Sequence, residues 1–103
     1  MVKKLLPARE DYFVLKPKHS GFYSTTLDIL LRHLGSTTLI LTGIAADNCV
    51  LFTANDAYMR DYSLVVPSDC VVSIRDADRR AALDQMARVL KADTRPSPDL
   101  SLP

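Results

Sequence analysis

Tryptophan is absent from the 103 residues, glycine occurs three times, and cysteine and histidine twice each. Two cysteines, Cys49 and Cys70, are too few for a disulfide scaffold, and they form no CxxC pair. His19 and His33 stand apart from both, so no metal site is expected. Long apolar runs are also missing: the richest stretch, around Thr38 to Ala46, falls far short of the roughly 20 residues a membrane span needs. The opening MVKKLLPA starts like an export signal, but its apolar run stops at once in Pro7 and the charged Arg9, Glu10 and Asp11. An excess of one charge is lacking as well. Lys plus Arg number 13 against 12 Asp plus Glu, a net charge of +1, which provides no field to draw nucleic acid or anionic lipid. Together these absences point to a cytoplasmic protein with reduced thiols and no cofactor. They leave small-molecule substrates as partners and exclude nucleic acid and membrane.

The chain has enough length for one small domain with a modest core. Asp11 to Leu15 (DYFVL) reads as a short strand ended by Pro17. Ser24 is a candidate cap for a helix carrying Leu27, Leu30, Leu31 and Leu34 at i, i+3, i+4, i+7, with Gly35 as its stop. Thr37 to Thr42 (TTLILT) is a continuous apolar, β-branched run of the kind buried on both faces of a sheet. A helix is expected from about Asn48 to Asp61 with Val50, Ala54, Ala57 and Tyr58 inward. Strands follow at Ser63 to Pro67 and Cys70 to Val72. Asp76 is placed to cap a last helix with Ala82, Leu83, Met86, Val89 and Leu90 inward. Residues 1–95 are thus expected to be the folded portion and 96–103, rich in proline and serine, a disordered tail.

The order β-α-β-α-β-α predicts an α/β fold with a parallel sheet, whose chemistry belongs at the loops leaving the carboxyl ends of strands. One such loop is TGIAADNCV, residues 42–50. It places Cys49 at a helix start, where unpaired N–H groups and the positive end of the helix dipole favour a thiolate. Gly43, Ala45 and Ala46 are small enough to let backbone N–H groups approach a substrate oxygen. The alternative for Cys49 is a packed helix cysteine, the ordinary role of a free thiol. Cys70, beside Val71 and Val72, is read that way, and Asp47 as a cap or first-turn acid. Lys16, at the end of the first strand-like run, is a candidate to bind an anion or move a proton, against the plainer reading of a solvated lysine. His19 is a weaker candidate base, since no spacing puts it beside Cys49.

These residues resemble a known family. LILTGIAADNCVLFTANDAYMRDYSLVVPSDCV is similar to the isochorismatase-like cysteine hydrolases in Gly43, Cys49, Val50, Thr53, Ala54 and Ala57. LKPKHSGFYSTTLDILLR is similar in Lys16, Ser20, Phe22, Thr26 and Leu27, and the likeness extends over about residues 11 to 92. The resemblance implies a three-layer α/β/α fold and a Cys-Lys-Asp triad. Cys49 would attack a carbonyl or nitrile-like carbon to give a covalent intermediate, and Lys16 would stabilise the thiolate or pass protons. It also implies a non-proline cis peptide at Ile44-Ala45, with the N–H groups of Ala45 and Cys49 forming an oxyanion hole. The sequence departs from the usual pattern at Ala46, commonly threonine, and at Asn48, commonly apolar.

A larger departure is upstream. In the family the triad aspartate ends a strand preceding the lysine segment, and only fifteen residues precede Lys16. None of Arg9, Glu10 and Asp11 ends an apolar strand, and the acidic and histidine metal ligands of nicotinamidase-type members have no counterpart. The chain is therefore expected to be the C-terminal portion of such a hydrolase, lacking the N-terminal strand or strands, truncated and of reduced activity. The function that follows is hydrolysis of a small amide or related C–N bond through Cys49. The alternative is a non-catalytic module that forms a homo-oligomer through an apolar strand edge beside TTLILT. A redox-responsive thiol protein is a third reading, weakened by the lack of a neighbouring second cysteine.

Overall fold

Spacing of apolar residues decides the elements, and a glycine decides where the first of them ends. The computed structural model describes residues 6–101. In chain order these form α1 (Leu27–Leu34), β1 (Thr38–Ile40), β2 (Gly43–Ile44), a π-helical turn (Ala46–Val50) and α2 (Leu51–Met59). Then come β3 (Ser63–Val65), β4 (Val71–Val72), α3 (Asp76–Val89) and a 3-10 turn (Ser97–Asp99).

Both ladders are parallel: Thr38, Leu39 and Ile40 stand beside Ser63, Leu64 and Val65, and Gly43 and Ile44 beside Val71 and Val72. The register offset grows from 25 residues to 28 between them, so the β3–β4 side carries three extra residues. They form the turn closed by Cys70 N–H on Pro67 O at 3.0 Å. Val65 also bridges Asp93 in parallel, so the segment after α3 begins a further strand on the far side of β3. The fold is α/β with parallel strands, as the element order predicts.

All three helices serve one core. Leu64 and Val71 from the strands, with Val66 just after β3, meet Val50, Ala54 and Ala57 of the middle helical segment and Ala82, Leu83 and Met86 of α3. Leu27 and Leu31 of α1 and Leu39 and Leu41 of the first strand line pack on its margin. Ala54, Ala57, Val66 and Met86 have no exposed surface. In so close-packed an interior, removing the Met86 side chain to alanine costs about 2 to 5 kcal/mol.

Five expectations are corrected. Asp11–Leu15 forms no strand: its residues find no ladder partner among the described residues, and Phe13 and Leu15 are 72% and 92% exposed. TTLILT is not buried on both faces. Leu39 and Leu41 turn to the core, but Thr38, Ile40 and Thr42 are exposed, because helices cover the strands on one side only among the described residues. Ser24 does not cap α1; it sits at φ 52°, and Leu27 N–H is received instead by Thr25 Oγ1 at 3.2 Å. Asp76 begins α3 rather than capping it, with its carboxylate on Arg79 Nε at 2.8 Å. Tyr58 and Val89, expected inside, are 43% and 48% exposed.

Gly35 does end α1, at φ 71°. Its N–H reaches Arg32 O at 3.1 Å and Ser36 N–H reaches Leu31 O at 3.0 Å, the paired bonds of a Schellman stop. Within the expected tail, Ser97 donates to Asp69 twice, from its N–H at 2.7 Å and its hydroxyl at 2.6 Å. These bonds hold the Asp69 carboxyl below the usual carboxylate range. No helix among the described residues is long and apolar enough to cross a membrane.

Candidate active site

Cys49 owes its place to the glycine six residues before it. Gly43 has φ 116°, a conformation closed to side-chain-bearing residues at low cost, and there the strand line passes from β1 to β2 and its ladder with β4. The Ile44–Ala45 peptide is cis. The π-helical turn then carries Ala46 into the core and presents Cys49 half-buried, just before α2 begins at Leu51. Asn48 N–H and Val50 N–H both donate to Ala45 O, at 3.0 and 3.1 Å, closing the loop around the thiol.

A second tie comes from the residue that follows β4. Ser73 donates its hydroxyl to Asp47 Oδ1 at 2.7 Å and receives Asp47 N–H at 3.3 Å. The loop before Cys49 is thereby pinned to the strand end that neighbours β2. Sequence reasoning missed Ser73. It lies 26 residues from Asp47, and no local spacing announces the contact.

Lys16 arrives by a different route. Its segment is anchored downstream by Phe22, which is 5% exposed, lies 6.0 Å from the Tyr62 ring and carries the Arg60 guanidinium 4.9 Å above it. Ser20, also buried, receives Phe22 N–H on its hydroxyl at 3.1 Å. Gly21 N–H donates to Thr53 Oγ1 at 3.0 Å, which fastens the segment to α2 one turn below Cys49. With these anchors in place, Lys16 Nζ lies 3.4 Å from Cys49 Sγ and 3.2 Å from Lys18 O. The two residues singled out as nucleophile and proton carrier, 33 apart in sequence, meet. The motif positions also gain physical roles. Thr53 is an acceptor for the lysine segment, while Ala54 and Ala57 allow close packing of α2.

Lys16, Thr42, Ile44, Cys49 and Thr53 line an open cleft of about 130 Å³. A larger cavity, about 510 Å³, lies around Tyr58, Asp61 and Lys91 and contains neither thiol. The small cleft is the one with chemistry. His19 does not join it: its ring packs 5.4 Å from Phe52, beside a separate cavity shared with Tyr23 and Asp56. Cys70 is half-buried with Sγ 3.5 Å from Asp69 Oδ1, and both thiols are free. No group of three or more acidic, histidine or cysteine side chains capable of holding a metal occurs among the described residues.

A family model described as the isochorismatase domain matches residues 1–94. An uncharacterized isochorismatase family protein, YaaI of Bacillus subtilis, is 52% identical over 93 residues, covering 90% of this chain and 51% of that protein. A ureidoacrylate amidohydrolase, RutB of Methylorubrum extorquens, is 45% identical over 69 residues, covering 67% of this chain and 28% of its own length. Among solved structures, an N-carbamoylsarcosine amidase from Thermoplasma acidophilum superposes with a TM-score of 0.83 at 38% identity, over 93% of this chain and 54% of that one. The chain spans about half the length of the Bacillus relative and under a third of the Methylorubrum one.

Proposed function

Because this chain belongs to the isochorismatase domain family, we propose that it is the nucleophile-bearing portion of a cysteine hydrolase acting on a small amide or related C–N bond. The observation that carries the reading is the Lys16 Nζ to Cys49 Sγ contact at 3.4 Å, at the mouth of a loop built from small residues. Relatives named as a ureidoacrylate amidohydrolase and an N-carbamoylsarcosine amidase support the bond type. The cleft of about 130 Å³ supports a small substrate.

The chemistry runs in two stages. Cys49 Sγ, as thiolate, forms a bond to the carbonyl carbon, and the electron pair of the C=O moves onto oxygen, where the N–H groups of Ala45 and Cys49 receive it. The intermediate collapses, the C–N bond breaks, and the amine leaves with a proton that Lys16 is placed to deliver. Water then adds to the thioester and releases the carboxylic acid and the free thiol. Lys16 Nζ, 3.4 Å from the sulfur, is placed to hold or pass that proton.

The test uses both thiols as mutual controls. Below about pH 7, a mild alkylating agent is expected to label Cys49 faster than Cys70, because Cys49 alone has a cation and a helix start beside it. Equal, slow labelling of the two refutes the reading.

One observation favours a second reading. The edge of β1 away from β3 is unpaired among the described residues, and Ile40 and Ile44 beside it are 47% and 73% exposed. A non-catalytic module that forms a homo-oligomer through this edge is therefore the alternative, and it predicts a concentration-dependent mass together with equal thiol labelling.

A further inference from the structure

We propose that Ser73 is a positioning residue for Cys49: its hydroxyl, acting through Asp47, fixes the loop that sets where the thiol stands against Lys16. The role in reactivity rests on the hydrolase reading, whereas the placement of the loop can be measured apart from it.

The need for a tie follows from where the loop lies. On one side is the cleft of about 130 Å³ that Cys49 shares with Lys16. On the other is a cavity of about 260 Å³, between Ala45, Asp47 and Asn48 of the loop and Ile74, Arg75 and Asp78 around the start of α3. The loop is thus a wall between two hollows, and close packing supports it from neither side. Ala46 and Val50 anchor its ends in the core, at 0% and 5% exposed. Between them Asp47 and Asn48 are exposed and Cys49 is half-buried. A segment with so few buried contacts opens at low cost unless polar bonds hold it.

Those bonds come from one side chain. The parallel pairing of β2 with β4 ends where Ile44 stands beside Val72, so Ala45 and Ser73 are the next residues of the two lines. Ala45 O has turned to the loop, receiving Asn48 N–H and Val50 N–H at 3.0 and 3.1 Å. Ser73 takes over where the backbone ladder stops, donating its hydroxyl to Asp47 Oδ1 at 2.7 Å and receiving Asp47 N–H at 3.3 Å. A hydroxyl donates and accepts at once, so a single group fixes the main chain and the side chain of Asp47 together. No other hydrogen bond reaches the Asp47 carboxylate among the described residues. Arg75 does not replace Ser73, because its guanidinium is committed to Asp78 at 2.9 and 3.2 Å.

The consequence reaches the thiol two residues on. Asp47 and Cys49 belong to one π-helical turn, Ala46–Val50, so a shift of Asp47 carries Cys49 with it. The contact of 3.4 Å between Lys16 Nζ and Cys49 Sγ joins two segments that are anchored separately, the lysine segment at Thr53 and the cysteine loop at Ser73. A displacement of about 1 Å at either anchor takes the pair out of hydrogen-bond reach. Asp47 is not itself a proton acceptor for the thiol: it does not line the cleft of Cys49, and its carboxylate faces Ser73.

The experiment compares the full chain with Ser73→Ala, Ser73→Thr and Asp47→Ala, each first shown to be folded by unchanged exchange of the Val66 amide. The Asp47 amide is expected to exchange about fivefold faster in Ser73→Ala, the loss of one ordinary hydrogen bond, and at the wild-type rate in Ser73→Thr. An NMR cross-peak between the Lys16 ε-protons and the Cys49 β-protons is expected in the wild type and in Ser73→Thr, and is expected to weaken in Ser73→Ala and Asp47→Ala. Cys49 alkylation should slow in those two variants while Cys70 keeps its rate. The double variant should be no slower than either single one, because the two side chains act as a unit. Unchanged Asp47 exchange or an undiminished cross-peak in Ser73→Ala overturns the proposal. So do equal changes at Cys49 and Cys70, which report general loosening, and so do effects of the two substitutions that multiply. Equal labelling of the two thiols in the wild type refutes the hydrolase reading instead, and the cross-peak and Asp47 exchange still decide the placing role of Ser73.

Discussion

Replacing Thr53 with valine removes one hydroxyl and almost no volume, yet it should disturb a residue 32 positions away. Gly21 N–H is partly buried and donates to Thr53 Oγ1 at 3.0 Å. Without that acceptor the donor is left unmet, a loss of about 1 to 3 kcal/mol. Because the site is only partly buried, water reaches it after a small shift, which favours the lower half of that range, about 1.4 kcal/mol or a tenfold change in the opening equilibrium. Native-state exchange of the Gly21 amide should therefore quicken about tenfold in Thr53→Val. Thr53→Ser, which keeps the hydroxyl, should stay near wild type. Lys16 lies five residues upstream of the same anchor, so Thr53→Val should also slow alkylation of Cys49. Unchanged Gly21 exchange in Thr53→Val, or equal acceleration in Thr53→Ser, would refute the anchoring role.

Other outcomes follow from the same geometry. Gly43→Ala should lower stability by about 1 to 3 kcal/mol in urea unfolding through backbone strain alone, since φ is 116° and an added Cβ meets nothing within 4 Å. Gly21→Ala, whose added Cβ would sit 3.4 Å from Leu27 Cδ2 in ordinary contact, should be far milder. Asp69 should titrate below the usual aspartate value because Ser97 bonds its carboxylate, and a carbon-detected titration should find it raised in Ser97→Ala. Since the folded-state value is the depressed one, the contact's contribution is fully present above the unfolded aspartate value of about 4 and is lost as pH falls through the folded value.

The elements that could be read from sequence are those whose signal is local. α1 shows leucines at helical spacing and a glycine stop, and the bonds at Gly35 and Ser36 are the ones that pattern requires. β3 and β4 lie where Ser63–Pro67 and Cys70–Val72 predict, and α3 begins one residue before the start that a cap at Asp76 implies. The errors arise where a neighbour decides the outcome. Tyr12, Phe13 and Val14 have the propensity for a strand, but a strand exists only with a partner, and none lies beside them among the described residues. The same physics leaves Ile40 exposed in a run composed for two-sided burial. At the candidate site, Cys49 was legible because strand, small-residue loop and helix start are contiguous in sequence. Its meeting with Lys16 followed from the family resemblance, not from spacing. The Ser73–Asp47 tie had no sequence signal, because hydroxyl and carboxylate come from segments joined only by the parallel pairing of β2 with β4.

The central claim, that Lys16 prepares Cys49 as a nucleophile, is tested most directly by the ratio of Cys49 to Cys70 alkylation rates in the wild type and in Lys16→Met. The Nζ to Sγ distance of 3.4 Å predicts a ratio well above one in the wild type. In Lys16→Met the Cys49 rate should fall while the Cys70 rate is unchanged. A ratio near one, or a Cys49 rate indifferent to the loss of Lys16, contradicts the account.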